Sequence, residues 1–207
     1  MTKISERGMI FNAEMVRALL DGRKTQTRRP IKWKQTRFTE IGEREDGSKW
    51  PWSEDAEHAC DFWHPCPFGA VGDRIWVREA FRVHSRATDV ATLVYKASER
   101  NSWTEQTRRV PVAVCNKPAT PEKWTPSLHM PRWASRILLE ITGVRVERLR
   151  SMSQDDARAE GVIAASGPME AGLAFRELWD SIYGEVSWKA NPWVWVIEFK
   201  RVEGGAA

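Results

Sequence analysis

Apolar residues recur with a helical or a strand period in some stretches of this chain and show no period in others. From Met15 to Leu20 the apolar residues fall on one side of a helix, which Asn12 can cap and Gly22 can end. Ser153 can cap a second helix that reaches Glu160. A third helix, with one apolar side, is predicted over residues 168–183.

Strand patterns appear in four places, at residues 75–77, 92–96, 137–149 and 193–199. The third of these contains Gly143, where we expect a break. The last is apolar on both faces and is therefore predicted to lie inside a sheet.

Two stretches lack any period. Residues 31–67 are charged and rich in Trp and Pro, which predicts a long irregular insertion, and residues 98–132 predict a long loop. Non-local strands with grouped helices favour an α+β fold or a small barrel with helices over its ends. We expect a single domain over residues 1–207, interrupted by this insertion and this loop.

Composition narrows the class of protein. The chain has 32 Lys and Arg against 28 Asp and Glu, a net charge of only +4, which argues against a polybasic protein that coats DNA. Its three cysteines are an odd number and no signal-peptide pattern precedes the first helix, so a cytoplasmic location is expected. No apolar run is long enough to span a membrane, so no membrane partner is expected.

The basic residues are concentrated in the segment Gly22-Arg23-Lys24-Thr25-Gln26-Thr27-Arg28-Arg29-Pro30. A basic, hydroxyl-bearing loop after a helix favours an anionic or nucleotide-like ligand, which Arg23, Arg28 and Arg29 would bind. The chain also has 12 tryptophans, and Trp33 lies in polar sequence, where its ring could stack on a base. The competing interpretations are a solvated basic loop and tryptophans that pack the insertion onto the body of the protein.

Taken together, these features resemble an ASCH-domain protein of the PUA-like superfamily, in the longer version found in phages and prophages. The resemblance is carried by the segment from Gly22 to Arg29, by Gly72-Asp73-Arg74-Ile75-Trp76-Val77, by Glu160-Gly161 and by Val196-Ile197-Glu198-Phe199. It implies a small PUA-like β-barrel whose cleft accepts a nucleoside or single-stranded RNA.

The resemblance also implies catalytic residues. Some bacterial ASCH proteins hydrolyse the amide of N4-acetylcytidine without a cofactor, and their functional lysine, threonine and glutamate correspond to Lys24, Thr27 and Glu160. Lys24 would be the base, since like charges nearby disfavour its protonated form. Thr27 would be the nucleophile or would orient water, Glu160 would hold Lys24 or protonate the departing amine, and Arg29 would stabilise the oxyanion.

Alternatives remain open on the same residues. Glu160 could be a helix-end acid in an ion pair with an arginine, and Thr27 a turn residue bonded to the backbone. His58, Cys60, His64 and Cys66 could together bind zinc, but their one-residue spacers suit a tetrahedral site poorly, so no metal is expected. The alternative functions are a metal-independent ribonuclease and a non-catalytic RNA-binding module in phage regulation or defence evasion.

Overall fold

The computed structural model describes residues 4–32, 40–55, 60–163 and 170–202. Within these ranges the chain forms eleven strands and five α-helices, which confirms the α+β class. The strands are β1 (Glu6–Ile10), β2 (Gln26–Pro30), β3 (Glu40–Glu43), β4 (Lys49–Asp55), β5 (Cys60–Trp63), β6 (Arg74–Arg78), β7 (Phe81–Arg86), β8 (Val90–Tyr95), β9 (Thr107–Pro111), β10 (Leu138–Arg148) and β11 (Trp193–Arg201). The helices are α1 (Ala13–Leu20), α2 (Trp103–Gln106), α3 (Gln154–Ala159), α4 (Ala171–Tyr183) and α5 (Glu185–Ala190).

The chain divides into two compact units. Unit 1 comprises residues 1–22, 74–140 and 201–207, and unit 2 comprises residues 23–73 and 141–200. In neither unit do the described strands close into a barrel on their own, so the PUA-like barrel stays a prediction. The prediction of a single domain is not tested by this division.

Unit 1 holds β1, α1, α2 and the four strands from β6 to β9. β1 pairs in parallel with β6, which pairs antiparallel with the first residues of β10, and β7, β8 and β9 form an antiparallel sheet. The core beside this second sheet includes Phe81, Leu93 and Tyr95. The predicted cap of α1 is confirmed, since the Met15 amide donates to Asn12 Oδ1 at 2.8 Å.

Unit 2 contains the remainder of β10, which neighbours β11, and β11 in turn pairs antiparallel with β2. β11 is buried because α4 covers it, with Phe175 and Trp179 packing in one cluster with Val194 and Val196. The predicted cap of α3 is also confirmed, since Ser153 and Asp156 form a reciprocal capping box. This cap fixes where α3 begins and therefore where its last residue, next to Glu160, lies.

The prediction of a basic loop over residues 22–30 is wrong for the second half of that segment, because Gln26–Pro30 forms the strand β2. Its sequence has no apolar alternation, but β11 is apolar on both faces and β2 pairs with it from Gln26 to Pro30. Thr27 and Arg28 are consequently buried, at 1% and 3% exposure. Tertiary pairing has overridden the local polarity of this segment.

The insertion is not irregular. β3, β4 and β5 form a three-stranded antiparallel sheet. The signal was the dipeptide Asp46-Gly47, a hairpin turn in which Gly47 has φ +79° and the Arg44 amide donates to the Ser48 carbonyl at 2.9 Å. Trp50 contacts Trp195 of β11 edge-on, at 5.0 Å between ring centroids, which agrees with the interpretation that tryptophans pack the insertion onto the body of the protein.

Two further predictions are corrected. The loop at 98–132 contains α2 and β9, and β9 is formed because its polar residues pair along β8. β10 also runs through Gly143 without a break. A Cβ at Gly143 would lie 2.8 Å from Glu198 Oε2, so a glycine at this position lets the Glu198 side chain approach the backbone of β10 closely. Among the described residues no helix is both long and apolar enough to cross a membrane.

Candidate active site

Lys24 and Glu160 form an ion pair inside unit 2. Lys24 Nζ lies 2.9 Å from Glu160 Oε2 and donates to the Glu160 carbonyl at 2.8 Å. The start of β2 is joined to the end of α3 because the Thr25 amide donates to the Ala159 carbonyl at 2.9 Å. The Lys24 ammonium therefore binds both the C-terminal end of α3, where the helix dipole is negative, and the side-chain carboxylate of Glu160.

Burial governs the chemistry of this lysine. The Lys24 side chain has 0% exposure, and the Glu160 side chain has 2%. Burial lowers the pKa of Lys24 below its ordinary value, and the repulsion of Arg29 and Arg28 lowers it further, while the charge and hydrogen bond of Glu160 raise it only in part. A lysine with a lowered pKa can act as a base, but the main cause here is burial rather than the like charges expected from the sequence.

Arg28 extends the pair into a network. Its side chain is fully buried and lies 3.2 Å from Glu160, 3.2 Å from Glu147 and 3.3 Å from Asp156. A guanidinium can serve three carboxylates because its donors point in different directions in one plane. The predicted ligand-binding Arg28 is thus committed to internal carboxylates.

Arg145 forms the other end of the network. It donates to Asp156 Oδ1 at 2.9 Å and also binds Glu147 and Glu198. Burial alone would lower the pKa of Arg145, but these three carboxylates raise it. We call the set the charge cluster, and its members are Lys24, Arg28, Arg145, Glu147, Asp156, Glu160 and Glu198.

Asp156 is the junction of this cluster. Partial burial would raise the pKa of Asp156, but hydrogen bonds from the Ser153 amide and hydroxyl and from Gln26, with the charge of Arg28, hold it well below its ordinary value. Gln26 Nε2 donates to Asp156 Oδ1 at 3.2 Å and to its carbonyl at 3.0 Å. Asp156 therefore stays ionised and orients both arginines.

The predicted site residues do not all converge. Gln26 and Arg28 reach the acids of the cluster, so Thr27 and Arg29, which alternate with them along β2, occupy the opposite face of the strand. Arg23 donates to the Gly161 carbonyl at 2.6 Å and holds the end of α3. Trp33, proposed to stack on a base, lies outside the described residues.

Sequence reasoning missed several members of the cluster. Arg145 and Asp156 are not among the residues that the sequence predicted for the site. The alternation of Arg145 and Glu147 on one strand face was a usable signal, because residues two apart in a strand share a face. Glu198 and Gln26 gave no local signal, since their roles depend on pairing between β2 and β11.

A cavity of about 460 Å³ lies elsewhere in unit 2, beside the insertion sheet. Its lining includes Arg44, Trp50, Trp63, Val144 and Arg145. Arg145 thus lines the cavity and belongs to the charge cluster. Lys24 and Glu160 are not among the lining residues.

Three of the four residues of the zinc alternative, Cys60, His64 and Cys66, lie within the described part of the chain. His58 lies outside the described residues, Cys60 is exposed and Cys66 is buried. His64 Nε2 lies 2.9 Å from Ser53 Oγ, which gives this ring an ordinary hydrogen-bond partner. Within the described part of the chain, no three His, Cys, Asp or Glu side chains are grouped to hold a metal ion.

No family model, no curated protein and no solved structure matches this chain.

Proposed function

We propose that the chain is a nucleoside- or RNA-binding protein of the ASCH type that hydrolyses an N4-acyl cytidine amide, N4-acetylcytidine being the simplest substrate. The observation that carries the proposal is the buried contact between Lys24 Nζ and Glu160 Oε2 at 2.9 Å, with the lowered pKa of the lysine. The motif Lys24-Thr25-x-Thr27 and Glu160 are also the residues through which the chain resembles these enzymes.

In the proposed reaction, neutral Lys24 takes a proton from the attacking oxygen, which then adds to the acyl carbonyl. The C–N bond then breaks as protonated Lys24 returns its proton to the N4 amine, which leaves as cytidine, and the acyl group with the added oxygen becomes acetate. Glu160 keeps Lys24 in position, and Arg28 holds Glu160 from the other side at 3.2 Å. Because Thr27 lies on the face of β2 opposite to Lys24 and Arg28, its hydroxyl cannot contact the water that Lys24 deprotonates, and no step of the proposed reaction is assigned to it.

A second candidate function is favoured by one observation. The Lys24 and Glu160 side chains have 0% and 2% exposure, and a substrate has to approach within hydrogen-bond distance of a base. Under this candidate the pair is structural and the protein is a non-catalytic RNA-binding module. The two candidates differ in whether cytidine is produced.

The experiment is incubation with N4-acetylcytidine, with chromatography of the products, beside a labelled single-stranded RNA read on a gel. The proposal expects cytidine and acetate in equal amounts and intact RNA. Lys24→Met, which keeps nearly the length of the side chain and removes the base, should lower turnover about a hundredfold or more in a chain that circular dichroism shows to be folded. Arg176→Gln, on the exposed side of α4, is the matched control and should be as active as the native chain. Shortened RNA would indicate a ribonuclease, and bound but unaltered substrates would favour the binding module.

A further inference from the structure

The cavity beside the insertion sheet is the part of unit 2 that the proposed reaction leaves unexplained. Its volume of about 460 Å³ falls in the range of small-molecule sites. The cavity is lined by the turn after β3, by one residue each of β4 and β5, by the segment after β5 and by two residues of β10: Arg44, Asp46, Ser48, Trp50, Trp63, Pro65, Cys66, Gly69, Ala70, Val71, Val144 and Arg145. The insertion has therefore built a concave site that Lys24 and Glu160 do not line.

The wall of the cavity is aromatic and held in place. Trp50 donates its indole N–H to the His64 carbonyl at 2.7 Å, and its ring meets Trp195 edge-on. Trp63 stands beside it and approaches Gly42 so closely that a Cβ there would lie 3.0 Å from the Trp63 ring. Two fixed indoles beside the apolar side chain of Val144 suit a flat ring, since base–aromatic stacking needs a rigid face.

Arg44 gives this aromatic wall a cation. Its guanidinium lies 4.0 Å from the centroid of the Trp50 ring and 5.3 Å from that of Trp63. A guanidinium that stacks by its face keeps its donors in the plane, where they can bind an anion at little entropic cost. Asp46 also lines the cavity, and the pKa of its carboxyl is lowered by hydrogen bonds from Ser48 and by the charge of Arg44. Arg44 and Asp46 form no ion pair among the described residues, so Asp46 does not hold the guanidinium.

The second cation at the cavity is already neutralised. Arg145 binds Glu147, Asp156 and Glu198, so its charge is shared among three carboxylates. Arg44 has no such partner within the described residues. The cavity therefore combines an apolar aromatic wall with one cation that remains available to an anion.

We propose that this cavity binds a nucleoside monophosphate, with the base against Trp63 and Trp50 and the phosphate on Arg44. The cavity itself indicates only a flat ring joined to an anion. That the ring is cytosine is a further step, which rests on the proposed function. The same chemistry is presented by a free nucleotide and by the 5′-phosphorylated end of an RNA. The insertion thereby selects phosphorylated over unphosphorylated ligands.

The test is isothermal titration of the full chain with cytidine, cytidine 5′-monophosphate, adenosine, adenosine 5′-monophosphate and inorganic phosphate. A charge-assisted hydrogen bond to the phosphate should make each monophosphate bind about tenfold or more tightly than its nucleoside. Arg44→Gln should remove this preference, and Trp63→Ala should weaken both monophosphates about tenfold. Trp63→Phe keeps a ring and should recover part of the loss. Arg176→Gln is again the control, and circular dichroism checks that each variant is folded.

Equal affinity for nucleosides and monophosphates would overturn the proposal, as would an unchanged preference in folded Arg44→Gln or no binding by any of the probes. These affinities decide the cavity proposal, whereas product analysis with N4-acetylcytidine decides the proposed function, so the two proposals fail separately. Oligonucleotides with a 5′-phosphate or a 5′-hydroxyl show whether the natural ligand is a free nucleotide or the 5′-phosphorylated end of an RNA. Tighter binding of the 5′-phosphorylated oligonucleotide than of the free monophosphate assigns the site to RNA ends, and the reverse assigns it to free nucleotides.

Discussion

Replacing Glu160 by glutamine isolates the charge of the buried pair. Glutamine has nearly the same shape, but it carries no charge to offset Lys24 at 2.9 Å and Arg28 at 3.2 Å. All three side chains are almost fully buried, with exposures of 0%, 0% and 2%. Removing one partner of a buried pair leaves the other charge uncompensated, so Glu160→Gln should lower the free energy of unfolding by about 3–5 kcal/mol.

The assay is urea unfolding followed by tryptophan fluorescence, with thermal unfolding beside it. For a chain of this size the expected loss corresponds to a fall in melting temperature of roughly 6–20 °C. Asp155→Asn is the matched control, because the Asp155 carboxylate is 91% exposed in its ion pair with Arg158, and no measurable change is expected.

The double variant Lys24→Met with Glu160→Gln tests the cause. Methionine is close to lysine in length and removes the uncompensated ammonium, so the double variant should be more stable than Glu160→Gln alone. A loss below about 1 kcal/mol in Glu160→Gln would refute the reasoning, because it would mean that the carboxylate does not hold a buried charge. A double variant that is simply the sum of its parts would refute the pairing of Lys24 with Glu160.

Two other outcomes are expected. The pKa of Asp156 is lowered in the fold, so its stabilising contribution is complete above its ordinary value of 3.8 and is lost as the pH falls below it. Asp156→Asn should therefore flatten the acid side of a plot of urea midpoint against pH, and an unchanged acid slope would contradict the assignment. Gly8→Ala should lower the free energy of unfolding by about 1–3 kcal/mol, because a Cβ at Gly8 would lie 2.5 Å from the Trp76 ring on the neighbouring strand. Thermal unfolding measures this loss, and a midpoint equal to that of the native chain would exclude the predicted clash.

The sequence predicted the elements that carry their own local signals. α1 and α3 were found from their caps at Asn12 and Ser153, and β11 was found from its continuous apolar run. β2 could not be found in this way, because its burial comes from pairing with β11 and from carboxylates far away in the chain. The insertion sheet carried a turn signal at Asp46-Gly47, but its tryptophans were interpreted as loop residues.

The candidate site was predicted in part. Lys24 and Glu160 do meet, although 136 residues separate them, and it was the resemblance to a family rather than their spacing that joined them. Their complete burial was not foreseen, because Lys and Glu are ordinarily surface residues and burial depends on packing that a single sequence does not display. The alternation that separates Thr27 from Lys24 followed only once residues 26–30 were known to be a strand.

The most direct test of the central claim is the rate of cytidine release from N4-acetylcytidine, measured as a function of pH. If neutral Lys24 is the base, the rate should rise with pH and level off below the ordinary lysine pKa of 10.5, because burial lowers the pKa of this lysine. Substrate that stays intact with the folded native chain at every pH between about 6 and 10 would contradict the account.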